Sequence, residues 1–160
     1  MAKPTTKPWF DAVKTWLGRA RPRVRGGHPV GDDRTVIALI DDDISLTAPL
    51  ACALEEAGYT VLTGTNGPQG IAILEKPVVD LAIVDIVLTG HIDGLTVVRE
   101  ARRHHPTLRV ILTSGKPPPP GFERVAPFLP KPFRVNELLA IVERALTTPV
   151  DQWSDRPTSA

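Results

Sequence analysis

Three short runs carry apolar residues at consecutive positions instead of alternate ones: "TVIALI" from Thr35, "DLAIVDIVL" from Asp80 and "LRVILTSG" from Leu108. A strand with one wet face alternates apolar and polar residues. A strand that is apolar throughout must be covered on both faces. Between and after these runs the period changes to that of a helix. "ISLTAPLACALEEAG" reads as a helix stopped by Gly58, "NGPQGIAILEK" as a turn and short helix, and "DGLTVVREARRHHP" as a helix ending at Pro106. "YTVLTGT" supplies another strand and "APFLPKPF" a short fifth one. "VNELLAIVERALTT" closes the pattern as an amphipathic helix with Leu138, Leu139, Val142, Ala145 and Leu146 on its inner face. Doubly covered strands alternating with helices predict an α/β fold, a parallel sheet between helical layers.

Ligands of such sheets sit beyond the carboxyl ends of the strands, so the residues at those ends carry the functional reading. The first strand runs into Asp41, Asp42 and Asp43; the third ends at Asp85; the fourth ends in Thr113, Ser114 and Gly115; the fifth is followed by Lys131 and Pro132. Clustered carboxylates need a cation to stay ionised, and oxygen-only ligation favours a hard ion such as Mg²⁺. A carboxylate beside such an ion can attack a phosphoryl group and form an acyl phosphate. The transfer asks mainly for positioning and charge neutralisation, which a Lys ammonium, a Ser hydroxyl and the ion can share. A lone carboxylate inside "AIVDIVL" is otherwise expensive to bury.

The motifs "LIDDDIS", "AIVDIVL", "VILTSG" and "LPKPF", each closing a predicted strand and in this order, resemble the receiver domain of bacterial two-component response regulators. The likeness runs from about Thr35 to Thr148. It implies a flavodoxin-like, doubly wound, five-stranded parallel sheet in the order 2-1-3-4-5. By resemblance, Asp85 is the phosphoacceptor. Asp41 and Asp42 bind Mg²⁺ with Asp85, and Val87 offers the ion its backbone carbonyl. Ser114 is the switch hydroxyl, Lys131 the lysine that bonds the phosphoryl group, and Phe128 the switch aromatic. Lys131–Pro132 matches a cis peptide. The donor implied is a sensor histidine kinase or phosphotransfer protein, and the chain itself accepts and slowly loses a phosphoryl group without turning over as an enzyme. Asp43 is left over and fits the N-cap of the following helix; Thr113 reads as structural. His104 and His105 fit helix-end carbonyls, and His91 stands on the loop after Asp85.

One segment departs from the family. Receivers carry a helix between their fourth and fifth strands, whereas "GKPPPPGFERVAPFLP" holds four consecutive prolines, which cannot continue an α-helix and favour polyproline II. The fourth helix is therefore expected to be shortened or replaced by a Pro-rich loop. Two rivals stand beside the receiver. One is a degenerate receiver that binds partners without phosphorylation. The other is a haloacid-dehalogenase-type phosphatase using Asp41 as nucleophile and Asp43 as general acid. The latter needs a further acidic motif after the lysine and leaves Asp85 without a duty.

The flanks differ in charge. Residues 1–34 hold eight Lys/Arg against three Asp, a net +5 that leaves −4 for the remainder of a chain whose total is +1. "KPWFDAVKTWLGRARPR" places Trp9, Phe10, Val13, Trp16 and Leu17 near one helical face, and "RGGHPVGDD" follows as a linker. This basic arm suits a membrane surface, nucleic acid, a partner protein or the chain's own domain. The expected organisation is an extension (1–34), a receiver domain (35–148) and a tail (149–160). That tail is too short for a DNA-binding or enzymatic output domain, so output is expected through contact with another protein. No apolar run approaches the roughly 20 residues that span a bilayer and no secretory core opens the chain, so a cytoplasmic setting is expected. Cys52 is the single cysteine, which rules out an internal disulfide; within "LACALEEAG" it reads as a packed small residue.

Overall fold

The computed structural model of the chain describes residues 34–120 and 126–153. The arm and linker preceding Arg34, residues 121–125 and the end of the tail lie outside the described residues. Chain order is β1 (Val36–Ile40), α1 (Ile44–Glu56), β2 (Thr60–Gly64), α2 (Gly67–Leu74), β3 (Leu81–Asp85), α3 (Gly94–His104), β4 (Arg109–Ser114), β5 (Phe128–Pro130), α4 (Val135–Thr147) and the single turn α5 (Val150–Trp153). The five strands form one parallel sheet in the order β2-β1-β3-β4-β5, the flavodoxin-like arrangement expected from the sequence.

Strand parity explains why the strands are apolar at every position. Ile37 and Leu39 of β1, with Leu81 and Ile83 of β3, enter a core shared with α1 and α4. Ala38 and Ile40, with Ala82 and Val84, enter the opposite core against α2 and α3. Successive side chains point to opposite faces, so two covering layers require apolar residues in both parities. The five predicted inner residues of α4 are all buried, with Ile141 beside them.

Local chemistry sets the helix ends. The Asp43 carboxylate accepts from Ser45 N–H at 3.0 Å and caps α1, as the sequence suggests. At the other end Gly58 takes φ 91°, its N–H donating to Glu55 O (2.8 Å) while Tyr59 N–H donates to Leu54 O (3.1 Å). That pair of bonds is a Schellman closure, and it needs the left-handed residue that glycine supplies. Asn66 and Asp93 cap α2 and α3 through Gln69 and Thr96 N–H.

Two expectations change. Cys52 is exposed, not packed: α1 turns Thr47, Leu50, Ala53 and Leu54 inward, and position 52 falls on the outer face. His105 accompanies a carbonyl of a different helix end, with Nε2 3.2 Å from Glu75 O just past α2, so it ties α2 to α3. Between β4 and β5, the described residues 115–120 and 126–127 carry no helix; α4, the fourth helix in chain order, follows β5. Among the described residues no helix is long and apolar enough to cross a membrane.

Candidate functional site

The carboxyl ends of β1, β3, β4 and β5 bring together the residues singled out in the sequence. Asp85 closes β3 with the parity of Leu81 and Ile83, and Asp41 follows β1 with the parity of Ile37 and Leu39. Central strands carry both carboxylates, which are therefore walled in: Asp41 is 3 % and Asp85 6 % exposed. Lys131 follows the edge strand β5. Its Nζ donates to Asp41 Oδ2 at 2.7 Å and also bonds Asp85 Oδ2. Its backbone N–H donates to Ser114 O at 2.8 Å, which fixes the root of the lysine against β4. The Lys131–Pro132 peptide is cis.

The remaining carboxylate oxygens are held by backbone. Asp85 Oδ1 accepts from Val87 N–H (2.9 Å), Asp41 Oδ1 from Asp43 N–H (3.0 Å) and Asp42 Oδ2 from Thr89 N–H (3.1 Å). Asp41, Asp42 and Asp85 each offer an oxygen within 4.8 Å of the others. Burial pushes the Asp85 carboxyl above the ordinary carboxylate range, with Lys131 and the Val87 N–H offsetting part of that push. Burial opposes the charge on Lys131, but the bonds and charges of Asp41 and Asp85 outweigh it and hold the ammonium pKa above its usual value.

A hard divalent cation suits this donor set. Three carboxylates converge, and among the described residues the cation bonded to them is the Lys131 ammonium, reaching in from just past β5. Val87 sits two residues past Asp85 and is 55 % exposed. Ser114 is buried, and its hydroxyl accepts from Lys116 N–H at 3.1 Å. Thr113 is also buried, and its carbonyl accepts from Ile86 N–H (2.9 Å). Phe128 is partly buried and packs on the core shared with α2 and α3. Asp43 stays outside the three-carboxylate group, its carboxylate occupied by the α1 cap.

Sequence reasoning missed several supports. Thr47 anchors the aspartate run through Oγ1 to Asp43 O (2.8 Å). Thr89 reaches Asp42 across 47 positions by its backbone alone, so its side chain carries no signal. Gly94 begins α3 hard against the acidic strand end. A Cβ there would stand 1.9 Å from Asp85 O, and Gly94 N–H donates to Ile86 O at 3.0 Å. The "DG" preceding a helical pattern was the available clue.

Comparison with known proteins bears on the whole frame. The family model for the response regulator receiver domain matches residues 37–143. The chain belongs to that family. The transcriptional regulator NtrC of Salmonella typhimurium is 33% identical over 128 residues, covering 77% of this chain and 27% of NtrC. The sensor kinase CckA of Brucella abortus is 32% identical over 118 residues, 69% of this chain and 12% of CckA. This receiver thus spans about a quarter or less of the length of those relatives. Among solved structures, the receiver domain of the hybrid histidine kinase CckA superposes with a TM-score of 0.62 at 31% identity, covering 70% of this chain and 99% of that domain. The likeness extends over the elements that carry Asp41, Asp42, Asp85, Ser114 and Lys131.

Proposed function

We propose that this receiver is a phosphoacceptor in a two-component phosphorelay, with Asp85 as the acceptor. The observation that carries the reading is the convergence of the Asp41, Asp42 and Asp85 carboxylates with Lys131 at the strand ends of a receiver-family chain. An Asp85 carboxylate oxygen attacks the phosphorus of a phosphohistidine on a sensor kinase or phosphotransfer protein. The P–N bond breaks, its electron pair returns to the imidazole, and an acyl phosphate forms on Asp85. Asp41, Asp42, Asp85 and the Val87 carbonyl would hold a Mg²⁺ ion, which would supply neutralisation of phosphoryl charge.

The chain's own residues do the rest. Lys131 places an ammonium beside the acceptor, its charge held by Asp41 and Asp85. The Ser114 hydroxyl oxygen accepts from Lys116 N–H, and its O–H is a further donor that a phosphoryl oxygen can take. A hydroxyl that turns toward new phosphoryl oxygens leaves that N–H and shifts an equilibrium shared with Phe128 and the Pro-rich segment. The readout is a changed protein contact in the cytoplasm, and the chain is a switch, not a turnover enzyme. The capping duty of Asp43 counts against the phosphatase alternative, which needs that carboxyl as its general acid.

Intact-mass analysis after incubation with acetyl phosphate tests the reading, with and without Mg²⁺, on wild type and Asp85→Asn. One hydroxylamine-labile phosphoryl adduct is expected, dependent on Mg²⁺ and absent from the variant. An adduct of equal yield on Asp85→Asn would overturn the assignment of Asp85. A wild type that takes no phosphoryl group from acetyl phosphate or from a phosphohistidine protein would favour the degenerate receiver.

A further inference from the structure

A connection between parallel strands usually carries a helix. The one that leaves β4 begins instead with Lys116 and four prolines, Pro117 to Pro120, and its described part holds no helix. Proline fixes φ at about −65°, and a residue that precedes proline is pushed out of the α region. Lys116, Pro117, Pro118 and Pro119 all precede a proline, which favours the extended polyproline II form with its three residues per turn. The exposure follows that period. Pro118 is half-buried, whereas Lys116, Pro117, Pro119 and Pro120 are exposed. One edge of the rod therefore lies on the domain. Pro117 and Pro120, one turn and about 9 Å apart, share an edge that is open to solvent.

The rod is rooted at the sheet. Lys116 N–H donates to Ser114 Oγ at 3.1 Å. Where the chain returns toward β5, Leu112 N–H donates to Pro127 O at 2.9 Å, and Ala126 and Pro127 are buried. The surface on offer has a definite chemistry. Pyrrolidine rings give apolar relief, the proline carbonyls accept hydrogen bonds, and no proline has an N–H to donate. Its complement is a flat ring that also carries a donor, as Trp does with its indole N–H and Tyr with its O–H. Among the described residues the Lys116 ammonium has no ion pair. It stands directly before the rod, so the complement also carries a carboxylate. A run of prolines has little freedom left to lose, and a partner that binds it pays little to order it.

We propose that residues 116–120 are a docking motif for a partner protein whose groove is lined by Trp and Tyr rings and flanked by carboxylate. Pro117 and Pro120 enter the groove, the partner's indole N–H and phenol O–H donate to the proline carbonyls, and Lys116 pairs with the flanking acid. This is recognition of a preformed polyproline II rod, and the charge pair gives it direction and salt sensitivity. The bond from Lys116 N–H to Ser114 Oγ joins the motif to the acidic pocket, which makes this contact the output of the switch. That last assignment rests on the function proposed above, whereas the docking itself does not.

The test follows the Gly115 and Lys116 amide resonances of the full-length chain while an SH3, a WW and an EVH1 domain are added in turn, three probes with aromatic-lined polyproline grooves. Saturable shifts are expected with at least one of them, at a Kd tighter than about 1 mM. Pro117→Ala, Pro120→Ala should weaken that Kd by about tenfold or more, and Pro118→Ala, on the edge turned to the domain, by less than about threefold. Lys116→Glu should weaken it by about threefold or more and flatten its salt dependence. The other amide resonances of each variant report that the fold is kept. No shift with any of the three probes at about 1 mM overturns the proposal. So do shifts that survive Pro117→Ala, Pro120→Ala, and so do shifts that appear when the chain alone is concentrated, which mark a second copy as the partner. After treatment with acetyl phosphate and Mg²⁺ the Kd should change at least threefold in wild type and stay constant in Asp85→Asn. An unchanged Kd with the phosphoryl adduct formed overturns the link to the switch. If no adduct forms, the functional reading fails, while the titration of the unmodified chain still decides the docking.

Discussion

Lys131 Nζ sits 2.7 Å from Asp41 Oδ2 although 90 positions separate the two residues. The same ammonium bonds Asp85, so one cation just past the edge strand β5 is shared by carboxylates at the ends of β1 and β3. Replacing it orphans two buried charges. Lys131→Met is expected to lose about 3 kcal/mol of stability without a divalent ion, and to recover most of it when Mg²⁺ is added. Urea unfolding in chelator and in Mg²⁺ measures both. A loss that Mg²⁺ leaves untouched would remove these carboxylates as its ligands.

Asp85 makes the opposite prediction for stability. Its folded pKa is raised, chiefly by burial. Such a group favours the folded state while protonated and loses that advantage as pH rises from the ordinary carboxylate value of about 3.9 through the raised one. Asp85→Asn, which cannot ionise, should match wild type near pH 3 and become the more stable protein as pH climbs, with a constant difference once pH has passed the raised pKa. Thermal melts across this range in chelator check it. A wild type that gains on the variant with rising pH would show that Lys131 outweighs burial.

Gly94 is required by space, not by a special backbone angle. An added Cβ meets the Asp85 carbonyl at 1.9 Å, and a backbone atom cannot swing aside as a side-chain tip can. Gly94→Ala should cost at or above the upper end of the roughly 1–3 kcal/mol usual for overpacking. It should also slow phosphorylation, because α3 is pushed off the acidic strand end. Gly90, with a φ of 103° and open space around it, should respond to alanine through backbone strain alone. Denaturant midpoints and acetyl-phosphate rates of both variants separate the two causes.

Thr89 contributes to the pocket through its N–H. Thr89→Ala keeps that donor and should stay within about 0.5 kcal/mol of wild type. Thr89→Pro deletes it, should cost about 0.5–1.5 kcal/mol, and should alter Mg²⁺ affinity by freeing Asp42. Titration of Mg²⁺ into the three proteins is the check, and equal affinities for Pro and Ala would show that the bond does not position Asp42.

The amino-acid sequence alone determined the layer architecture and most of the pocket membership. Continuous apolar runs imply burial on both faces, and polar residues placed just after such runs have nowhere to go but the strand ends. Asp41, Asp42, Asp85, Ser114 and Lys131 were legible for that reason, as were the Asp43 cap and the inner face of α4. Tertiary structure decided what depends on contacts between distant segments. Which oxygen Lys131 bonds, the reach of Thr89 N–H to Asp42 and the closeness of Gly94 to Asp85 all arise from backbone positions that side-chain identity does not encode. Cys52 illustrates the same limit within one helix. Its chemistry suits a core, but which of the small residues of α1 turns inward is set by the helix phase against the sheet, and that phase left Cys52 in water.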